Sequence, residues 1–149
     1  MTEIIPAQTA AAIEKVDALT KEILTMPQVD IATHHVLHGG MYARTIKIPQ
    51  GVVITGALIK VETTLIVSGD VIVWMGDSDF RITGYQVLAA RAGRKQAFIA
   101  IKDTYLTMSF PTGATTIEAA EKEFTDEANL LMSRRGDTCN IFINTQGGN

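Results

Sequence analysis

The chain has 149 residues, 46% of them hydrophobic and 19% charged, with a formal net charge of −3. That length suits one domain with a sizeable core, and the acidic balance speaks against a nucleic-acid module, whose first mark is a basic excess. A single cysteine, Cys139, excludes an internal disulfide and a cysteine-held zinc; no apolar stretch reaches the ~18 residues of a membrane span, and a reducing, cytoplasmic setting is expected.

After Pro6 the apolar residues Ile13, Val16, Leu19, Ile23 and Leu24 recur at three- and four-residue steps among Glu14, Lys15, Asp17, Lys21 and Glu22. This spacing predicts an amphipathic helix over 7–26, closed at Met26-Pro27, that covers a barrel face or pairs with its own copy. His34, His35 and His38, the chain's only histidines, then lead through a loop into Gly39-Gly40. Imidazoles invite a metal reading, set against a hydrogen-bonded loop or a ligand role for one of them, since His34 and His35 point oppositely if extended. In the strand Met41 to Ile48, Tyr42, Arg44, Ile46 and Ile48 share one face. An arginine on an apolar row needs an internal acid or an anionic ligand, and Glu62 is the expected internal partner.

Residues 49–70 read as two β-branched strands closed by a Ser68-Gly69-Asp70 turn, followed by a hairpin with strands 71–74 and 80–83. Asp77 to Asp79 lack the remaining oxygens of a calcium loop. Around Gly93 the cations Arg91, Arg94 and Lys95 make the most basic spot in the chain, either a solvated turn or an anion site of cations plus glycine-exposed amides. Strands 97–101 and 104–110 follow. Thr115-Thr-Ile-Glu118 reads as a capping box for a helix over 116–135 with Ile117, Ala120, Phe124, Ala128, Leu130 and Leu131 as apolar positions and a bend near 125–127. A final edge strand is expected over 138–144, with a flexible tail beyond it.

Pro49-x-Gly51, Glu62 and Gly69, then Gly84 and Gly93, resemble the two sequence motifs of the cupin family across 41–110. The resemblance implies a mainly β, cupin-like (jelly-roll) barrel with an N-terminal and a C-terminal amphipathic helix, all within one domain over 1–149. With its two helices, the chain resembles small cupin-like proteins encoded by bacteriophage genomes. Most cupin enzymes hold a metal through two histidines, a glutamate and a third histidine. Here the first two positions fall on Ala57 and Ile59, or on Gly56 and Leu58, and the third on Gln96. Only Glu62 remains of that set, so neither a metal nor a cofactor is expected.

No Gly-x-Ser-x-Gly and no Gly-x-x-x-x-Gly-Lys occurs. The function expected is therefore non-enzymatic binding of an anionic small molecule by His38, Tyr42, Arg44, Lys60, Glu62, Arg91, Arg94, Lys95 and Gln96. In a phage setting that molecule is a nucleotide signal of host defence. Two alternatives come from other classes. One is a virion-associated assembly protein, a homo-oligomer joined through the N-terminal helix and C-terminal strand. The other is a metal enzyme using His34, His35 or His38 with Glu62.

Overall fold

A computed structural model describes residues 4–134 and 139–147. Strands β1 (Ile4–Ile5), β2 (Thr33–His38), β3 (Met41–Ile48), β4 (Val53–Thr55), β5 (Thr63–Trp74), β6 (Asp79–Ala90), β7 (Ala97–Ala100), β8 (Thr104–Pro111) and β9 (Asn140–Asn144) dominate it. Helix α1 (Ala10–Ile23) precedes β2, and helix α2 (Ile117–Phe124) follows β8, trailed by short 3-10 turns at Ala128–Leu130 and Met132–Arg134. The fold is mainly β with one helix toward each end, as the sequence reading expects.

The strands run in the order β1-β6-β5-β8-β3-β2-β9, with β7 joining β5 to β4. Strand β5 makes this a rolled, two-walled barrel. Its residues 64–68 lie between β6 and β8, whereas residues 71–74 lie between β6 and β7. This is the jelly-roll arrangement the resemblance implies. The change of partner falls at Gly69, paired with Gly84, so Ser68-Gly69-Asp70 is not the hairpin turn expected from its composition. A Cβ on Gly69 would stand 2.7 Å from both the Asp103 carbonyl oxygen and the Thr104 Cα. Glycine is required there because the β7–β8 connection crosses against the strand, not because the chain reverses. The hairpin expected farther on is present as the end of β5 and the start of β6.

Alternation explains which side chains fill the barrel. Val67, Val71 and Val73 of β5, Leu65 before them, Ile82 and Leu88 of β6, and Leu106 of β8 point inward and form one core with Ile5, Ile48 and Ile54. A second core gathers Leu37, Tyr42, Met108 and Phe110 beneath Ala120, Phe124, Ala128 and Leu131. Helix α1 is capped by the Thr9 hydroxyl, which accepts from the Ala12 N–H, and buries Ala12 and Val16 on its own barrel. Helix α2 is capped by Thr116, which accepts from Ala119 N–H, rather than by the Thr115 box expected. It ends at Phe124, earlier than the expected 135, and position 135 lies outside the described residues.

The histidines lie on β2, not in a loop. Gly39 and Gly40, with φ of 62° and 75°, make the two-residue turn into β3 that only positive-φ residues allow at low cost. The last strand forms and pairs parallel to β2 of its own sheet; of the expected 138–144, position 138 lies outside the described residues. The tail expected to be flexible is tied down in part. Gln146 donates from Nε2 to the Ala114 carbonyl.

Candidate functional site

Between the two cores lies a cavity of about 400 Å³. Its walls are largely hydrocarbon: Ile54, Leu65, Phe98 and Leu106 from the first core, and Met108, Phe124 and Leu131 from the second. Leu24, Met26, Val29, Val53 and Leu130 line it and are also exposed, so the mouth opens between the end of α1, strand β4 and the first 3-10 turn. Of the nine residues expected to bind a ligand, Arg44, Arg94, Lys95 and Gln96 line this cavity, while His38, Tyr42, Lys60, Glu62 and Arg91 do not. Glu127 is the acidic group in the lining.

Arg44 reaches the cavity from β3, on the face that its spacing from Tyr42 and Ile46 predicts. Its partner is not Glu62. Nη1 donates to Glu121 Oε2 at 3.0 Å, Nη2 donates to the Ser133 hydroxyl at 3.0 Å, and the guanidinium carbon stands 5.9 Å from the Phe124 ring centre. Glu121, on the inner face of α2, also accepts from Arg134 Nη2 at 2.7 Å and Nε at 2.9 Å. One buried carboxylate therefore holds two arginines and ties α2 and the second 3-10 turn to β3.

Tyr42 is buried behind Arg44 rather than in the cavity wall, and burial raises its phenol to about 12. Its hydroxyl donates to His35 Nδ1 at 2.8 Å, because His35 Nε2–H is committed to Asn140 Oδ1 at 2.9 Å while the Asn140 amide nitrogen donates to the Ser133 carbonyl. Burial is the first cause that holds the His35 imidazole below its ordinary value. His34 and His38 lie on the outer face of β2, separated along it, with His38 bonded to the Thr145 hydroxyl at 2.7 Å, while His35 lies on the buried face. Among the described residues, no group of three or more His, Cys, Asp or Glu side chains converges as a metal site.

The β6–β7 connection carries the larger correction. Its residues Arg94, Lys95 and Gln96 are buried, not a solvated basic turn. Two segments cover them. The backbone of Ile59 bridges Arg94, with Gly93 N–H donating to the Ile59 carbonyl at 2.7 Å, and Gln8 N–H donates to the Gly93 carbonyl at 2.9 Å. The amides expected to be free for an anion are consequently spent: Ala92 N–H on Glu62, Gly93 N–H on Ile59 and Lys95 N–H on Gln8 Oε1. Glu62 is exposed, with its carboxyl held below the usual range first by the Ala92 N–H and then by Arg91, 3.1 Å away. Lys60 is likewise occupied outside, on Asp126.

Lys95 sits in the wall with its ammonium 3.2 Å from both oxygens of Glu127 and 3.6 Å from Asp17. Gln96 donates from Nε2 to the Met75 sulfur at 3.1 Å. Arg94 differs from both. It is 2% exposed, and its three contacts are neutral: Nη1 to the Arg91 carbonyl at 2.7 Å, Nη2 to the Thr63 hydroxyl at 2.7 Å and Nε to Gln96 Oε1 at 3.3 Å. Among the described residues no carboxylate is ion-paired with it. Burial lowers its pKa to about 10 against the opposing pull of the Glu62 carboxylate, which acts on it without an ion-pair contact, and this leaves it charged at neutral pH.

The metal set implied by the cupin resemblance does not fit these residues. Glu62 is outside and paired with Arg91, position 59 is a hydrocarbon side chain, and the Gln96 amide is turned to Met75. Sequence reasoning missed Glu121 and Glu127. A signal for the first exists, because Glu121 falls in the stripe Ile117, Ala120, Phe124 where an apolar residue is expected.

No protein-family profile matches the chain, and no curated protein sequence matches it. Solved structures similar to it include a cupin-2 domain protein from Shewanella frigidimarina (8% identity, TM-score 0.45, over 61% of this chain and 90% of that one). A cupin superfamily protein from Desulfitobacterium hafniense is similar at 10% identity and TM-score 0.46, over 58% of this chain and 82% of that one. The Schizosaccharomyces pombe Cnp3 cupin domain is similar at 16% identity and TM-score 0.45, over 58% and 70% respectively. At such identities and scores a likeness to cupin domains carries neither a ligand nor a reaction to this chain, and its own cavity residues have to supply the functional argument.

Proposed function

We propose that this chain is a non-enzymatic binding protein that holds an anionic small molecule inside the barrel, with Arg94 as the receiving cation. One observation carries the reading: Arg94, 2% exposed, charged and with no carboxylate ion-paired to it among the described residues, lines a cavity whose walls are largely hydrocarbon. Burying a charge without a counter-charge is costly, and an anionic ligand removes that cost when it enters. The absence of chemistry is supported by the lining, whose carboxylate, Glu127, is engaged by Lys95 and by the Leu58 N–H at 2.7 Å.

The most specific form of the reading follows from the phage resemblance: sequestration of a nucleotide signal of host defence in an infected cell's cytoplasm. Phe98 in the wall favours it, since an aromatic face accepts a base. Thermal-shift and calorimetric titration with cyclic and ADP-ribose-type nucleotides, alongside simple organic anions, tests both levels. A raised melting temperature with one-to-one binding of any of these anions is expected. No shift from any anion at well above micromolar concentration contradicts the whole reading, and no shift from the nucleotides alone contradicts their version.

A second reading, homo-oligomeric assembly, is favoured by β9. It is the last strand of the sheet order, so among the described residues no strand pairs with its outer edge, and Ile141, Phe142 and Ile143 are exposed on it. Light scattering after size exclusion at several concentrations is expected to show an oligomer, and a monomer throughout contradicts it.

A further inference from the structure

Resting on the anion-binding reading, and in place of its nucleotide form, we infer that the ligand is a monoanion with a compact hydrocarbon body, an apolar carboxylic acid, whose carboxylate meets Arg94 and whose body lies against Ile54, Leu65, Phe98 and Met108. Three cations line the cavity. Arg44 is ion-paired with Glu121, a carboxylate it shares with the partly exposed Arg134, and Lys95 is ion-paired with Glu127 and Asp17. Arg94 alone among the three has no ion-paired carboxylate among the described residues. A guanidinium carries five N–H groups; Arg94 spends one on each of its three nitrogens, which leaves one on Nη1 and one on Nη2. Two such donors suit one carboxylate.

A second negative charge has no such place. Each remaining cation already faces an acid, so a polyphosphate would bring charge beside Glu127 and Glu121 in a site poor in water, where like charges repel strongly. Most of the rest of the wall is hydrocarbon and offers dispersion and desolvation, with Thr20, Gln28, Thr55 and Gln96 as its neutral polar side chains. The cavity volume sets the size: about 400 Å³, at about 30 Å³ for a water-sized group, holds roughly 13 such groups. A carboxylic acid with eight to ten carbons is of that size, and its apolar end points toward the exposed hydrocarbon rim at Leu24, Met26 and Leu130.

The test is calorimetry on the full chain with octanoate, with 1-octanol as the same body without charge, and with adenosine monophosphate and a cyclic dinucleotide. Octanoate is expected to bind one to one and at least about tenfold tighter than octanol. Arg94→Gln is expected to weaken octanoate by about thirtyfold or more while leaving octanol unchanged, with Arg94→Lys retaining part of the preference. Should Arg94→Gln fail to fold, the acid-to-alcohol ratio of the unaltered chain still decides. Equal binding of acid and alcohol overturns the inference. Nucleotide binding without octanoate binding overturns it and leaves the anion-binding reading standing. Binding of none of these anions overturns both.

Discussion

Two buried arginines line the same cavity from different elements and live under different electrostatic rules. Arg44, on β3, is answered by Glu121 and shares that carboxylate with Arg134. Arg94, on the β6–β7 connection, is answered by a carbonyl, a hydroxyl and an amide. The first is a brace: its charge is settled by the fold, and it joins the barrel to α2. The second is a charge the fold shelters without neutralising. Burial alone therefore does not mark a ligand-binding arginine. The mark is burial together with an unmatched charge and an adjoining space.

The largest effect expected is on the brace. Glu121→Gln strands Arg44 in the interior and frees Arg134, a one-sided break of a buried ion pair that costs ~3–5 kcal/mol. In a chain of this size that is a fall of roughly 10 °C in melting temperature, which calorimetry or circular dichroism reads. A fall of only a degree or two would mean that the Arg44 side is no better paired than the Arg94 side.

Lys95 sharpens the comparison next, because it is Arg94's neighbour in sequence and Arg44's counterpart in pairing. Lys95→Met removes a buried charge whose acids are half-exposed, at a cost of about 1–2 kcal/mol. Anion affinity is expected to stay within about twofold when Glu127→Gln accompanies Lys95→Met, since the pair then leaves together and the net charge of the wall is unchanged. A loss as large as that from Arg94→Gln would show that the cavity reads both cations together.

A smaller effect belongs to pH, on the braced side. His35 has a folded pKa depressed below 6.5 chiefly by burial. As pH falls below about 6.5, the unfolded chain takes up a proton that the folded chain resists, so stability is lost in the acid direction and is present in full above that pH. Melting temperatures between pH 7.5 and 5.5 are expected to decline in the natural chain and to decline less in His35→Gln. An equal slope in both would assign the effect elsewhere. The smallest effect is that of Arg91→Ala. Arg91 pairs with Glu62 at the surface, both more than half exposed, and neither melting temperature nor anion affinity is expected to change measurably.

How much of this was legible in the sequence differs between the same two sides. The inward face of Arg44 followed from two-residue spacing with Tyr42 and Ile46, and an acid partner followed from the cost of burying a charge. Which acid did not follow, because Glu121 lies 77 residues farther along and reaches Arg44 only after α2 folds back over the barrel. Its place in the apolar stripe of α2 was the readable clue. On the other side, Arg91-Ala-Gly-Arg-Lys carries the composition of a solvated turn. Its burial comes from Gln8 and Ile59, brought over it by tertiary folding that no local pattern announces. The barrel strands were legible from β-branched runs, whereas Gly69 misled, since a glycine demanded by a crossing segment and one demanded by a turn look alike in sequence.

The central claim is that the fold settles the charge of Arg44 and leaves that of Arg94 open. Melting temperatures of Arg44→Met and Arg94→Met, measured side by side without ligand, test it most directly, because methionine keeps most of the side-chain volume while removing the charge. Arg44→Met is expected to lose ~2–3 kcal/mol, roughly 5–10 °C, through its lost charged hydrogen bonds. Arg94→Met is expected to stay within about 1 kcal/mol of the natural chain, since removing an unmatched buried charge offsets the lost neutral contacts. A fall for Arg94→Met as large as that for Arg44→Met would contradict the account and make Arg94 a second brace.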